Sequence, residues 1–225
     1  MSVREEIRSA DSLRTPESAC RPDPRSDTHG EDEHESLQRQ HQRVAQFELS
    51  PFVPASIAIQ FETAKNLYLY AWNVYRFYPV AESLALTTLE FGLRERLQSE
   101  FATPANARPS RPPTLAPLLK KAVELGLIRN EGFGRWHRAG EQRAIERLQW
   151  ETLQRMIDEG LERIKFNDAD AVVQPQDRDW DLVAVLLQTL HKHRNVYAHG
   201  SSHLMPNVLG TFELVAEILN QVFAQ

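Results

Sequence analysis

His191-Lys192-His193-Arg194-Asn195-Val196-Tyr197-Ala198-His199-Gly200 closes an apolar stretch that begins at Trp180. A cation, an amide and several imidazoles therefore gather where the pattern predicts a helix to run out. Positions four apart share a helical face, so Asn195 and His199 are neighbours, with His191 before them on the same line. Arg194 sits about 100° round from Asn195, and its long side chain can swing toward the same space. Gly200 suits the left-handed position that commonly follows a helix end. A guanidinium to neutralise a phosphate, an amide to orient it and an imidazole to move protons near neutral pH can together process a phosphodiester. The same residues also read structurally, as an ion pair to a carboxylate, a cap and an imidazole bonded to a carbonyl. Local chemistry alone leaves both readings open.

Several helices must hold such a cluster in place. Phe61, Tyr68, Trp72 and Tyr75 recur at helical spacing and predict one apolar face. Pro79 fits the first position of a new helix with Leu86, Leu89, Leu93 and Leu97 on one stripe. Ala81, Leu84, Ala85, Thr88 and Gly92 form a second stripe, so this helix is expected to be buried on two sides and central. Its exposed remainder carries Glu90 and Arg94, an i,i+4 pair that can form a salt bridge and could steer Arg194. A proline-punctuated loop over 103–113 precedes a short helix from Leu115 that Gly126 ends. Ile145, Leu148, Leu153, Met156, Ile157, Leu161 and Ile164 keep helical register in a long element over roughly residues 135–165. After a polar linker, Asp179 is expected to cap the helix whose core face is Leu182, Val185, Leu186 and Leu190. Asp181 complements its positive end. A last amphipathic helix carries Val208, Phe212, Val215, Ala216, Leu219 and Phe223.

Alternating strand patterns are missing from the sequence, so the expected fold is all-α, a helical bundle of about five or six helices. Residues 1–44 hold almost no large apolar side chains and read as a disordered polar tail. Within it, Glu31 to Arg43 could form a polar helix that nothing obliges to pack. One helical domain is expected over residues 50–225. A net charge of -5 and a pI near 5.9 exclude the global basic field of many nucleic-acid binders, so any RNA contact must be local. The one cysteine, Cys20, allows no internal disulfide and no thiolate zinc site. No membrane span or apolar leader is legible, and a cytoplasmic protein is expected.

Other constellations carry less. His191 and His193 stand roughly 200° apart on a helix and cannot share an ion there; His199 and His203 straddle Gly200, which leaves their geometry open, and no cysteine or paired acid completes a metal set. Asp177, Asp179 and Asp181 alternate like a calcium loop but lack its glycine and distal glutamate. Gly132-Phe133-Gly134 follows no strand, and His137 occupies the third glycine position of a dinucleotide loop. The aromatic run Tyr68 to Tyr78 has core spacing rather than that of a base-stacking platform.

Arg194-Asn195-Val196-Tyr197-Ala198-His199 resembles the signature of the HEPN superfamily, an arginine followed by a polar residue with a histidine a few positions on. The Ala198-His199-Gly200 ending and the stretch from Leu89 to Leu97 are also similar to bacterial members. The resemblance covers roughly residues 50–225. It implies a metal-independent endoribonuclease that needs no cofactor, such as a toxin or phage-defence effector with an antitoxin protein as partner. The alternative is a silent member of the family, which dimerises or binds nucleotide or protein. Carried over, Arg194 would neutralise the scissile phosphate, Asn195 would orient it and His199 would act as general base or acid; Glu90, Arg94 and His191, outside the motif, are supporting candidates by their own position. Members typically form a homodimer with the motif helices facing, so that a second His199 completes the site.

Overall fold

The computed structural model describes residues 9–26, 32–101, 112–198 and 205–224. Seven α-helices and no strand occur among them, in the order α1 (Glu33–Ala45), α2 (Ala55–Tyr70), α3 (Phe77–Arg96), α4 (Leu115–Glu124), α5 (Gly134–Glu159), α6 (Leu182–Ala198) and α7 (Leu209–Val222). The all-α bundle is therefore present, with one helix more than expected.

α3 is the central element and packs against α2, α4, α6 and α7. Both stripes read from its sequence contribute, and Ala81, Ala85, Leu86, Leu89 and Leu93 are fully buried. Pro79 lies in its first turn rather than at its first residue, where a missing N–H still costs nothing. Gly92 marks a close crossing: a Cβ there would stand 2.6 Å from a Leu219 methyl of α7 and 3.4 Å from Ile57 of α2. Phe61, Tyr68 and Trp72 are buried and Tyr75 is partly buried, as their spacing predicts, while Tyr70 is exposed. Tyr68 meets Tyr78 edge-on at 5.4 Å between ring centroids and Phe212 at 5.9 Å.

The amino-terminal segment differs from the expectation of a tail without core contacts. Asp32 caps α1 by accepting from the backbone N of His34, and α1 buries Ser36, Gln40 and Val44. Gln40 donates to the Tyr68 carbonyl (2.7 Å) and accepts from the Tyr78 hydroxyl (3.0 Å). A buried amide satisfied at both ends holds the helix with little apolar surface, which composition alone does not register. Upstream, Asp23 is buried against the α2–α3 turn, where its backbone N donates to the Trp72 carbonyl (2.9 Å).

α5 is shorter than the periodicity predicts, because Gly160 adopts φ +64° and the Leu161 N–H closes back on the Met156 carbonyl (2.9 Å). Its buried residues are Trp136, Gly140 and Ala144 in its first half. Leu153, Ile157 and Leu161 are exposed rather than core, and Trp150 is exposed as well. The linker after α5 is fastened by Asp177, which is buried and bonded to Arg147 (2.9 Å). That hydrogen bond holds the Asp177 carboxyl below its ordinary range.

Candidate functional site

α6 begins at a double cap. Asp181 accepts from the Ala184 N–H (3.0 Å) and Asn130 accepts from the Val183 N–H (2.9 Å), while the Asn130 amide donates to Asp181 (3.2 Å). Asp181, rather than Asp179, is therefore the cap. Leu182, Val183, Leu186 and Leu190 then seat α6 against α3 and α4. Val185, expected on this face, is 42% exposed, and Val183 takes its place. The register brings the last turns of α6 over the polar line of α3.

That line runs Glu82, Leu86, Glu90, Arg94, each one turn apart and on one face. Glu90 is 6% exposed, contrary to its expected place on the wet side. α6 covers it, a tertiary contact that helix periodicity cannot foresee. The predicted pair forms, with Arg94 Nη2 donating to Glu90 Oε1 (2.6 Å) and also to the Pro113 carbonyl (3.2 Å). Arg194 Nε lies 3.2 Å from the other oxygen, Glu90 Oε2, close enough for an ion pair though off line for a hydrogen bond. One buried carboxylate thus holds two guanidiniums whose side chains remain 40% and 30% exposed. Glu90 needs such partners, because an ionised carboxylate shielded from water without them would be costly.

Of the other residues singled out by sequence, Asn195 is exposed on α6, one step from Arg194. His191 is half-buried; its Nδ1 is shielded from solvent and meets no hydrogen-bond partner among the described residues. His199 and Gly200 lie outside the described residues, so the expected helix-end glycine and the motif histidine have no placement to report. The structure therefore brings Arg194, Glu90 and Arg94 together and sets Asn195 beside them. No group of three or more metal-ligating side chains occurs among the described residues.

A second polar contact beside the first was missed. Glu82, 3% exposed, accepts from the Thr211 hydroxyl of α7 and lies 3.3 Å from His193 Nε2 of α6. The only available signal was Glu82 standing two turns before Glu90 on a stripe otherwise made of buried residues. In the sequence, His193 suggests only a metal ligand. Chemically, the last turns of α6 offer a tethered guanidinium and a tethered imidazole, both partly open to solvent, each beside a buried carboxylate of α3. Comparison of the chain with protein-family models, with curated proteins and with solved structures returns no match in any of the three.

Proposed function

We propose that the chain is a metal-independent endoribonuclease of HEPN type. The observation that supports it is Arg194: it is held by buried Glu90, remains partly open to solvent, and directly precedes Asn195 at the end of a late helix. In this reading Arg194 exchanges its carboxylate partner for the scissile phosphate of RNA, and Asn195 donates its amide to a phosphate oxygen. His199 moves the proton. The 2′-oxygen bonds to phosphorus as its proton leaves, and the bond to the 5′-oxygen breaks as that oxygen gains one. The products are a 2′,3′-cyclic phosphate and a 5′-hydroxyl. A homodimer with the two α6 ends facing would add a second His199, and a toxin paired with an antitoxin protein is the setting that fits such an activity.

A second reading has its own support. Glu90 already neutralises Arg194, and a net charge of -5 offers no general attraction for RNA. A silent HEPN-like module that dimerises or binds nucleotide or protein would keep the same contacts for stability. His199→Ala separates the two. In the first reading the folded variant cleaves single-stranded RNA about 10²–10⁴ more slowly than the unaltered chain, in EDTA. Undiminished cleavage by the folded variant would rule out His199 as the proton carrier. Absence of cleavage by the unaltered chain would leave the silent module.

A further inference from the structure

α5 carries apolar side chains on two sides. Its first half buries Trp136, Gly140 and Ala144, and the helix packs chiefly on the short turns Asn130–Gly132 and Pro175–Arg178. Its last turns stand clear of the bundle, and from Leu153 to Glu159 only Met156 keeps partial cover. Leu148, Thr152 and Met156, each partly buried, take one side of this half. Trp150, Leu153 and Ile157 take the opposite side at i, i+3 and i+7, and are 71%, 45% and 67% exposed. A half-helix of this length, about 20 Å, draws most of its stability from packing an apolar face. A contiguous stripe of tryptophan, leucine and isoleucine facing water is the mark of an interaction surface rather than of scattered exposure.

The charges around the stripe select the occupant. Arg143, Glu146 and Arg147 on its near side sum to +1, two arginines less one glutamate, and Asp158 and Glu159 on its far side sum to -2. We propose that a second copy of this chain covers the stripe, in an antiparallel α5–α5 pairing about a two-fold axis at Leu153. Leu153 then meets its own copy, and Trp150 of each chain packs beside Ile157 of the other. The basic end of each stripe faces the acidic end of its partner, and the two helix dipoles oppose. A parallel pairing would set -2 on -2. A patch complementary to itself is what a two-fold interface requires. Two half-helices bury an area at the low end of specific interfaces, so the dimer should dissociate at roughly micromolar concentration. This surface is separate from the α6 end, and the inference goes beyond the ribonuclease reading without resting on it. Oligomeric state is measured without RNA, so either can fail alone.

The test follows the mass of the full chain by light scattering across its concentration range. The unaltered protein should pass from 25.9 kDa to twice that mass on concentration. Amides of the last three turns of α5 should become more protected from exchange over the same range. Leu153→Glu places like charges on the axis and should stay monomeric throughout. Its melting temperature should match that of the dilute unaltered chain, because Leu153 supports no core contact. Mild oxidation supplies a readout independent of that variant. With the exposed Cys20 replaced by serine, Leu153→Cys should form an intermolecular disulfide. Ile157→Cys should not, since antiparallel pairing sets its two copies about 12 Å apart along the helices, beyond disulfide reach. A strict monomer at every concentration overturns the proposal and leaves the stripe to a different partner. A dimer that persists in Leu153→Glu overturns it by placing the interface elsewhere. Equal cross-linking through both cysteines overturns the antiparallel arrangement.

Discussion

Arg194 is useful to a phosphate only if it is kept near the surface and aimed, and Glu90 does both. Replacing Arg194 does not orphan that carboxylate, since Arg94 remains bonded to it at 2.6 Å. Arg194→Ala should therefore leave the melting temperature nearly unchanged while lowering cleavage by about 10²–10³, the size typical of losing one preorganised donor to developing charge. Arg194→Lys should recover only part, because an ammonium lacks the fork that meets two phosphate oxygens. Cleavage rates set against thermal melts of the same variants check this, and a rate loss that merely tracks stability would contradict it. The pair Glu90–Arg94 was legible from its i,i+4 spacing, as was the cluster at Arg194. That α6 lies over Glu90, and that Glu82 meets His193, was not legible. Those contacts depend on which faces of two helices meet, and the apolar pattern of each helix fixes its own buried side but not its partner.

The elements that carry these residues are held by specific stops and anchors rather than by periodicity alone. The apolar register of α5 runs smoothly past residue 160, so a periodic reading extends the helix; the left-handed backbone at Gly160 ends it. The docking of α1 escaped for the converse reason, since it relies on Gln40 more than on apolar area. Another polar anchor is titratable. Burial pushes the Asp23 carboxyl up, but hydrogen bonds from the Arg25 side chain and backbone and from the Tyr75 N–H outweigh it and hold the group at about 2. A carboxyl depressed below its ordinary value near 4 adds stability that is full above that value and is lost as pH falls through it toward about 2. Protection of the amides from exchange, relative to the intrinsic rate at each pH, should therefore fall in the segment around residue 23 and in the turn at residues 72–75 between about pH 4 and pH 2. Asp23→Asn should lower that protection already at neutral pH. Exchange in Asp23→Asn equal to that of the unaltered chain at pH 7 would mean that the carboxylate does not hold this segment.

At the scale of the whole molecule, the seven helices of the described residues, with α3 at their centre, position one end of α6, in a chain whose net charge is -5. Its helical class was legible because amphipathic periods of 3.6 run through most of the folded chain. The proposed function rests only on the chemistry of the sequence, a cation, an amide and an imidazole at the close of an apolar stretch, a set that suits RNA because RNA carries its own nucleophile. The most direct test exploits that nucleophile. A single-stranded RNA is first mapped for its cleavage position with the purified chain in EDTA. The same oligonucleotide is then offered with one 2′-deoxy substitution at that position. The account predicts a 2′,3′-cyclic phosphate product from the first and no cut at that position in the second. Cleavage of the 2′-deoxy substrate at an equal rate, or a product with a plain 3′-hydroxyl, would contradict it.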